Sequence, residues 1–413
     1  MTRAHPNDHA RPTCHRAAGL LVAVAGCVLA ACSSPRGASN DPTSLAATGA
    51  PLNAPVGSAS KGDGGAGSMQ GRRKLPEATA AASDGAPGAI RPAIRIDPWT
   101  NGERAGHEIV TEHLEIRTTL RNSDLRKFLP EFTESALAHY TSALGVLPVP
   151  SSPLQTYIFG SRDEWAAFTT ERLGRDADAY LGLGRGGYTS NATAILYDIG
   201  TTDTLTILAH EGWHQYSQAV FRDELPVWLE EGISTYMEGY RVTAGGVPNF
   251  EPWRNFERFG QLRDTVRRNS IIPLAQLLDG TPQGFLQEGR ERLLCYYAQV
   301  WALTHFLAEG SDSRFRAGLE QLVRDAAAGT MGATLSAAVK SNDDRRALRR
   351  GLDRGGVRAI PSAIITSAYF SAQPADLAAE YEAFVRAICE RGSGDRIWRG
   401  VSPIQKKPLA ITP

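Results

Sequence analysis

One predicted helix constrains this chain more than any other feature of its sequence. Residues 204–220, TLTILAHEGWHQYSQAV, contain the pattern H-E-x-x-H at His210, Glu211 and His214. Residues four apart lie on one face of an α-helix, so both imidazoles can reach a single metal ion. The apolar residues directly before the motif predict a buried helix face, where paired histidines are a more specific signal than on a polar surface.

The chemistry of this motif points to zinc. Zinc accepts neutral imidazole nitrogens at about 2.0–2.1 Å and favours tetrahedral sites. Glu211 would project beside the metal, take a proton from a water activated by the zinc, and deliver it to a leaving amine. Two observations weaken the signal: the pattern also occurs by chance in unrelated surface helices, and Gly212 costs a helix about 1 kcal/mol relative to alanine.

A third ligand is expected close by, because a catalytic zinc keeps three protein ligands and one open position. Residues 224–240, ELPVWLEEGISTYMEGY, predict a second helix that begins near Pro226 and carries Glu230 and Glu231. A short antiparallel helix pair would bring these glutamates back to the histidines. They are about 100° apart around the helix, so spacing alone leaves open which one binds the metal. Adjacent carboxylates near a helix start are also typical of a solvated face.

A donor for the developing oxyanion is the remaining part of such a site. Tyr296 and Tyr297, within LLCYYAQVWALTHFL, are the candidates, because a phenol can share the negative charge with the metal. Core packing of both rings is the alternative. His305 is predicted to be a core histidine with a hydrogen-bonded ring nitrogen. No role is predicted for three earlier histidines, His107, His113 and His139.

Periodicity before and after the motif predicts the fold class. The predicted strands are 113–120, 154–159 and 188–199, and the predicted helices include 125–144 and one capped by Ser161 with Glu164 in a capping box. Beyond residue 201 nearly every segment is predicted to be helical. This order indicates an α+β fold with a small mixed N-terminal sheet and a mostly helical C-terminal part. Residues 188–197 are a candidate sheet edge with which an extended peptide could pair.

The N-terminus predicts export and a lipid anchor. Basic residues precede an apolar run, 17–31, that is too short to span a bilayer as a helix and fits a secretory signal. Leu29, Ala30 and Ala31 before Cys32 resemble the lipobox of bacterial lipoproteins, which implies cleavage before Cys32 and a diacylglycerol on its thiol. An ordinary signal peptide with an incidental cysteine is the alternative.

Composition and motif positions divide the whole chain into five predicted segments. The predicted segments are a signal peptide (1–31), a disordered Gly/Ala/Ser/Pro-rich tether (32–96), an N-terminal subdomain with the metal site (97–240), a helical C-terminal subdomain (241–395) and a tail (396–413). Lysine plus arginine equals aspartate plus glutamate at 44 each, which argues against nucleic acid as a partner. Cys295 and Cys389 could form a disulfide in an oxidising compartment or remain two thiols.

The two helical motifs together resemble the peptidase-MA-like branch of the gluzincins, bacterial metallopeptidases in which H-E-x-x-H is followed by P-x-W-L-x-E-G-x-A-x-Y. The second segment here reads Leu225-Pro226-x-Trp228-Leu229-x-Glu231-Gly232-x-x-x-Tyr236. The resemblance spans roughly residues 114–384 and implies a zincin-like fold, with Glu231 as the third zinc ligand. It also implies a catalytic tyrosine from a downstream helix, which maps to Tyr297. Ser234 stands where the family usually has alanine, outside the implied ligand set.

The sequence therefore predicts a zinc-dependent metallopeptidase, lipid-anchored in the bacterial envelope and facing the periplasm or exterior. His210, His214 and Glu231 are expected to hold Zn²⁺, and Glu211 to act as general base. The expected partners are a peptide or protein substrate and, through the N-terminal lipid, a membrane. Two alternatives stay open: a non-catalytic binding lipoprotein on a zincin-like scaffold, and an envelope protein whose closed zinc site only stabilises the fold.

Overall fold

A computed structural model describes residues 94–182 and 186–404 of the chain. The predicted signal peptide, the predicted lipid attachment at Cys32 and nearly all of the predicted tether lie outside these residues, as does the end of the predicted tail. The tether boundary predicted at residue 96 falls inside the first strand. In the part of the chain that is described, no helix is both long and apolar enough to cross a membrane.

The N-terminal part is a mixed sheet with helices between its strands. Its elements are β1 (Arg95–Asn101), β2 (Arg104–Val110), β3 (Leu114–Thr118), α1 (Ser123–Tyr140), β4 (Leu154–Phe159), α2 (Arg162–Leu173), a 3₁₀ turn (Gly174–Asp176), α3 (Ala177–Leu181), β5 (Gly187–Ser190) and β6 (Thr193–Tyr197). The strand order is β1-β2-β3-β4-β6-β5, and β3, β4 and β6 are parallel while the other pairs are antiparallel. The predicted mixed N-terminal sheet is confirmed, and β5 lies at its edge.

The C-terminal part is almost entirely helical, as predicted. Its elements are α4 (Thr201–Val220), α5 (Val227–Met237), a hairpin of β7 (Tyr240–Val242) and β8 (Pro248–Phe250), α6 (Phe256–Arg267), α7 (Leu274–Asp279), α8 (Pro282–Glu288), α9 (Arg290–Glu309), α10 (Arg316–Ala328), α11 (Met331–Ala338), α12 (Asn342–Gly355), α13 (Ser362–Phe370), α14 (Pro374–Ile388) and α15 (Ser393–Trp398), with 3₁₀ turns at Ser311–Ser313 and Gly356–Ala359. The α+β fold class is therefore confirmed.

Two features of the sheet differ from the sequence prediction. The β1–β2 hairpin was not predicted, because its residues are mostly polar or small and lack a regular alternation. The single strand predicted at 188–199 is a hairpin of β5 and β6. Asn191 and Ala192 turn the chain with φ of +51° and +55°, the left-handed conformation that a tight two-residue hairpin turn uses. Asparagine tolerates this conformation and was the available signal, whereas alanine carries none.

The two faces of the sheet are covered by different helices. In β4, the side chains of Leu154 and Ile158 join the main core, which includes residues of α1 and α4. The side chains of Tyr157 and Phe159, which alternate with them, join a second, largely aromatic cluster that includes Trp165 of α2. Alternate residues of a strand point to opposite faces, so β4 is buried on both sides. Helix α4 thus packs against one face of a sheet that is itself buried on both sides.

Local capping residues explain where helix α2 begins. The Ser161 side chain accepts a hydrogen bond from the backbone N–H of Glu164, as predicted for the N-cap of α2. The Glu164 carboxylate instead accepts a hydrogen bond from Thr119 and forms an ion pair with Arg104 at 2.9 Å. The predicted helix start is therefore confirmed, and the carboxylate of the predicted capping box ties α2 to the sheet.

The two cysteines in the described residues are free thiols. Thr265 donates a hydrogen bond to the Cys295 sulfur at 3.1 Å. Burial raises the pKa of the Cys389 thiol to about 12. Of the two alternatives left open by the sequence, the structure has the pair of thiols.

Close packing of α5 on α9 depends on Gly232. A Cβ atom at this position would lie 2.5 Å from Thr304 Oγ1 and 2.9 Å from the Val300 carbonyl oxygen, both on α9. Contacts of this length are repulsive, so the absence of a side chain lets the two helices approach. Because Gly232 directly follows Glu231, this approach also fixes the depth at which the glutamate lies.

We expect Gly232→Ala to lower the free energy of unfolding by about 1–3 kcal/mol, the usual cost of overpacking a core. Gly260→Ala is the matched control, since a Cβ at Gly260 in α6 meets nothing within 4 Å. That change should be neutral or stabilising, because alanine favours a helix by about 1 kcal/mol over glycine. Chemical denaturation of both variants measures the difference, and equal stability of the two would contradict the packing argument.

Candidate metal centre

Helix α4 presents His210, Glu211 and His214 in a fully buried position. The helix packs against β5 and β6 on one side and against α1 and α5 on others. Gly212 within it makes room for Tyr140 of α1, whose hydroxyl would lie 2.6 Å from a Cβ at that position. That hydroxyl donates a hydrogen bond to the Ala209 carbonyl oxygen at 2.7 Å. The glycine therefore weakens the helix locally but allows a tertiary contact that holds it.

Helix α5 brings Glu231 to the two histidines. Its Oε2 atom lies 3.7 Å from Nε2 of His210 and 3.7 Å from Nε2 of His214. Two ligands of one zinc ion can be at most about 4.2 Å apart, twice a typical zinc–ligand distance. The three side chains therefore lie close enough to share an ion, and they form the metal-capable group found among the described residues.

The Glu231 carboxylate supplies a test of whether a cation fits this position. The residue is buried, and its Oε2 has no hydrogen-bond partner among the described residues. Burying an anionic oxygen without a donor is costly. A cation between this oxygen and the two imidazoles would remove that cost, and a set of two nitrogens and one oxygen is one that zinc accepts.

Two further glutamates hold the histidines from behind. His210 Nδ1 lies 2.9 Å from Oε1 of Glu238, and His214 Nδ1 lies 2.9 Å from Oε1 of Glu230. An ionised carboxylate only accepts hydrogen bonds, so each Nδ1 carries the hydrogen. When the rings are neutral, each Nε2 therefore has its lone pair on the side where Glu231 lies.

The structure separates the neighbouring glutamates that helical spacing left equivalent. Glu230 is only 5% exposed, so the interpretation of this pair as a solvated face is wrong. Its Oε1 also accepts a hydrogen bond from Ser217 at 2.7 Å. Glu230 thus lies against Nδ1 of His214, while Glu231 faces the Nε2 atoms of both histidines.

Glu238 and its partners were missed in the sequence. Both carboxylate oxygens of Glu238 accept hydrogen bonds from the buried guanidinium of Arg258, at 2.7 and 3.0 Å, and Asn255 donates at 2.6 Å. These residues come from the end of α5 and the start of α6, so their proximity is set by tertiary packing. A charged residue after a helix end gives no signal of such a role.

Ser234 also lies against the centre. Its hydroxyl oxygen is 3.1 Å from His214 Nε2 and donates a hydrogen bond to the Glu230 carbonyl oxygen at 2.8 Å. The position where this chain departs from the pattern it resembles is therefore in contact with a metal-facing histidine.

Charge coupling shifts the pKa values of these groups. Burial alone would raise the pKa of Glu231, but the two histidines close to its carboxylate lower it to about 2. Burial alone would also raise the pKa of Glu238, which Arg258 and His210 lower to about 2. Burial alone would lower the pKa of His214, but its hydrogen bond with Glu230 and the nearby charge of Glu231 raise it to about 9. Without an ion, a proton on His214 supplies part of the positive charge that the carboxylates require.

Glu211 lies beside this group with one oxygen held. Thr189 donates a hydrogen bond to its Oε2 at 2.9 Å, and its Oε1 has no hydrogen-bond partner among the described residues. Burial raises the pKa of Glu211 above its ordinary value. A carboxylate with a raised pKa and an available oxygen has the properties of a general base.

Both candidate tyrosines are fully buried on α9. The Tyr297 ring lies 6.3 Å from the His210 ring, centroid to centroid, and the Arg258 guanidinium carbon lies 5.1 Å from the centroid of the Tyr297 ring. The Tyr296 hydroxyl has no hydrogen-bond partner among the described residues. Burial, and then the charge of Glu231, raise its pKa well above the ordinary value. Tyr297 thus lies near the centre, and its role stays a prediction.

His305 is a core histidine, as predicted. It is fully buried and stacks on Trp253 with ring centroids 3.6 Å apart. Its Nδ1 lies 3.1 Å from Oε1 of Glu309. Burial lowers its pKa. This histidine–carboxylate pair resembles those of the centre in chemistry but not in position, which makes it a useful control.

One family model matches the part of the chain that carries the centre. Residues 204–326 match the family described as Protein of unknown function (DUF1570). No curated protein and no solved structure gives a match. The matched stretch covers less than a third of the chain and runs from α4 into α10. It includes both metal-facing motifs, Arg258 and the two tyrosines, but its description assigns no chemistry.

We expect Glu231→Gln to weaken zinc binding by at least about 100-fold, because a neutral amide replaces an anionic ligand. Glu230→Gln should weaken it by about 10–100-fold, the usual effect of losing a carboxylate behind a ligating histidine. Glu309→Gln, which alters the carboxylate beside His305, is the control and should change nothing. Competition with a chromophoric chelator gives the three affinities, and the reverse ranking of Glu230 and Glu231 would contradict the assignment.

Zinc affinity should also rise with pH. The ion requires a neutral imidazole, whereas His214 without an ion keeps a proton up to about pH 9. Binding at neutral pH then releases about one proton, so the association constant should increase about tenfold per pH unit between pH 6 and 8. Calorimetry in buffers of different ionisation enthalpy counts the released protons. A count of zero would show that His214 is already neutral.

Proposed function

We propose that this chain is a zinc-dependent metallopeptidase. The strongest support is that four buried carboxylates make four different sets of contacts. Glu230 and Glu238 bind the Nδ1 atoms of the histidines, and Glu231 faces both Nε2 atoms. Of these four, Glu211 alone lies outside the metal-capable group and has a fully buried oxygen without a hydrogen-bond partner among the described residues. A purely structural zinc site would be closed by a fourth ligand, and the group among the described residues has three.

Different residues of the chain would bind the metal ion and transfer the proton during hydrolysis. His210, His214 and Glu231 would hold a zinc ion, which supplies the Lewis acidity that activates a water molecule and polarises a substrate carbonyl. Oε1 of Glu211 accepts a proton from the attacking water as the new C–O bond forms. Glu211 then donates this proton to the amine nitrogen as the C–N bond breaks, so it returns to its ionised form.

The sheet edge and the tyrosines supply the remaining parts of the proposal. An extended peptide would pair with β5, which is the edge strand next to α4. Tyr297, or its neighbour Tyr296, would donate a hydrogen bond to the developing oxyanion. Both features agree with the gluzincin resemblance of the two motifs, which we propose as the relationship of this chain.

We also propose that the enzyme acts in the bacterial envelope. The support is the sequence before Cys32, which resembles a lipobox, together with the apolar run that precedes it. A single diacylglycerol-bearing cysteine would attach the catalytic part to a membrane through the tether. The substrate class is then a peptide or protein within reach of that membrane.

Glu211→Gln tests the proposed reaction. The amide keeps the size of the side chain but cannot accept the proton, so turnover of a peptide substrate should fall by about 10²–10⁴-fold. Zinc content should stay near that of the natural chain, because Glu211 is not in the ligand group. Asp325→Asn is the control: this buried carboxylate accepts hydrogen bonds from Tyr369 and Thr334 far along the chain, and its loss should leave turnover unchanged at matched zinc content.

Different results would favour the other two functions. Equal, nonzero turnover by Glu211→Gln and the natural chain would exclude Glu211 as the base. No turnover by the zinc-loaded natural chain across a broad peptide library would favour a binding scaffold. A large loss of thermal stability on chelation, with no hydrolysis before it, would favour a closed structural zinc.

A further inference from the structure

A threonine on the edge strand reaches the proposed base. The hydroxyl oxygen of Thr189 in β5 lies 2.9 Å from Oε2 of Glu211 and 3.0 Å from the Glu211 carbonyl oxygen. Both residues are buried, with Thr189 2% exposed and Glu211 not exposed. The hydrogen bond is therefore shielded from solvent, and a shielded hydrogen bond to a charged group is strong.

The geometry of this contact limits how Glu211 can move. A hydroxyl has one hydrogen to donate, and the charged carboxylate is a stronger acceptor than a carbonyl that already lies within a helix. Oε2 therefore receives the hydrogen. This hydrogen bond ties the carboxylate to strand β5 and restricts the side-chain torsions of Glu211. Oε1, which lacks a hydrogen-bond partner among the described residues, stays available.

Thr189 is held in place by contacts that do not involve Glu211. The turn between β5 and β6 is bound to α4 at two points: Gln215 Nε2 donates to the Ala192 carbonyl oxygen at 3.2 Å, and the Ala192 N–H donates to Gln218 Oε1 at 3.0 Å. At the other end of β5, a Cβ on Gly187 would lie 2.9 Å from the Ile195 carbonyl oxygen, so the strand lies very close to β6. The position of the hydroxyl is thus fixed by the hairpin.

We propose that Thr189 is a positioning residue for Glu211: its hydroxyl holds Oε2 so that Oε1 is the oxygen that exchanges the proton. The inference rests on the proposed peptidase function. It makes the edge strand a support for the base as well as a place for a substrate to pair. The same hydrogen bond serves both protonation states, because Oε2 can accept from the hydroxyl whether or not Oε1 carries the proton.

Substitutions at Thr189 separate a positioning role from a packing role. Thr189→Val keeps the shape and removes the donor, so kcat should fall about tenfold, the factor that a typical hydrogen bond carries, while KM stays within about twofold. Thr189→Ser restores the hydroxyl and should recover most of the kcat. Thr118→Val is the matched control, since Thr118 is a buried strand residue that donates to the Ile158 carbonyl oxygen at 2.8 Å, within the sheet and away from the base. It should leave both constants unchanged.

A second measurement needs no turnover. In a double-mutant cycle of chemical denaturation without zinc, Thr189→Val should change the unfolding equilibrium constant about tenfold in the natural chain and no more than about threefold in a Glu211→Ala background. The smaller effect is expected because only the backbone acceptor is left. Thr189→Ala replaces the valine variant in both experiments if the latter does not fold.

The inference is overturned by a kcat for Thr189→Val within twofold of the natural value, by a change confined to KM, or by an equal loss in Thr118→Val. Additive costs in the denaturation cycle would also overturn it. If the natural chain hydrolyses no peptide, the proposed function fails on that result, and the denaturation cycle alone then decides whether Thr189 holds Glu211.

Discussion

Burial of negative charge is the constraint on which the rest of this structure depends. Four glutamates surround two histidines in a region closed to solvent, and an isolated carboxylate in such a place would be unstable. Three are compensated by different means: Glu230 by a histidine and a serine, Glu238 by a histidine and Arg258, and Glu211 by a threonine. Glu231 faces the two imidazoles, 3.7 Å from each Nε2. The helices pack where they do because these partners must meet.

The compensation is unequal on the two sides of the centre. Behind His210, the carboxylate of Glu238 faces a buried guanidinium, so that side is close to neutral. Behind His214, the carboxylate of Glu230 has, within residues 94–182 and 186–404, the ring and the neutral Ser217 hydroxyl as hydrogen-bond partners, so more negative charge remains there. A dication would be drawn to the side that lacks its own cation. The negative charge of Glu230 and Glu231 beside the His214 ring is what raises its pKa against the effect of burial.

The sequence predicted what depends on local periodicity and left out what depends on packing. The spacing of His210 and His214 follows from the helix repeat, and the strand at Leu154–Phe159 follows from its apolar run. The β5–β6 turn was missed because Ala192 has no preference for positive φ. Arg258 was missed because a charged helix residue is normally exposed, and nothing near it in the chain shows that Glu238 lies opposite.

All three metal-facing side chains come from one helix pair, between positions 210 and 231. Joining them closes only a short loop, which costs little chain entropy. The supporting residues on α9 are much farther along the chain, and their contacts form against a larger entropic cost. An ion could therefore bind to the α4–α5 pair early in folding, before α9 has docked. The supply of metal would then influence the folding rate of the chain as well as its activity.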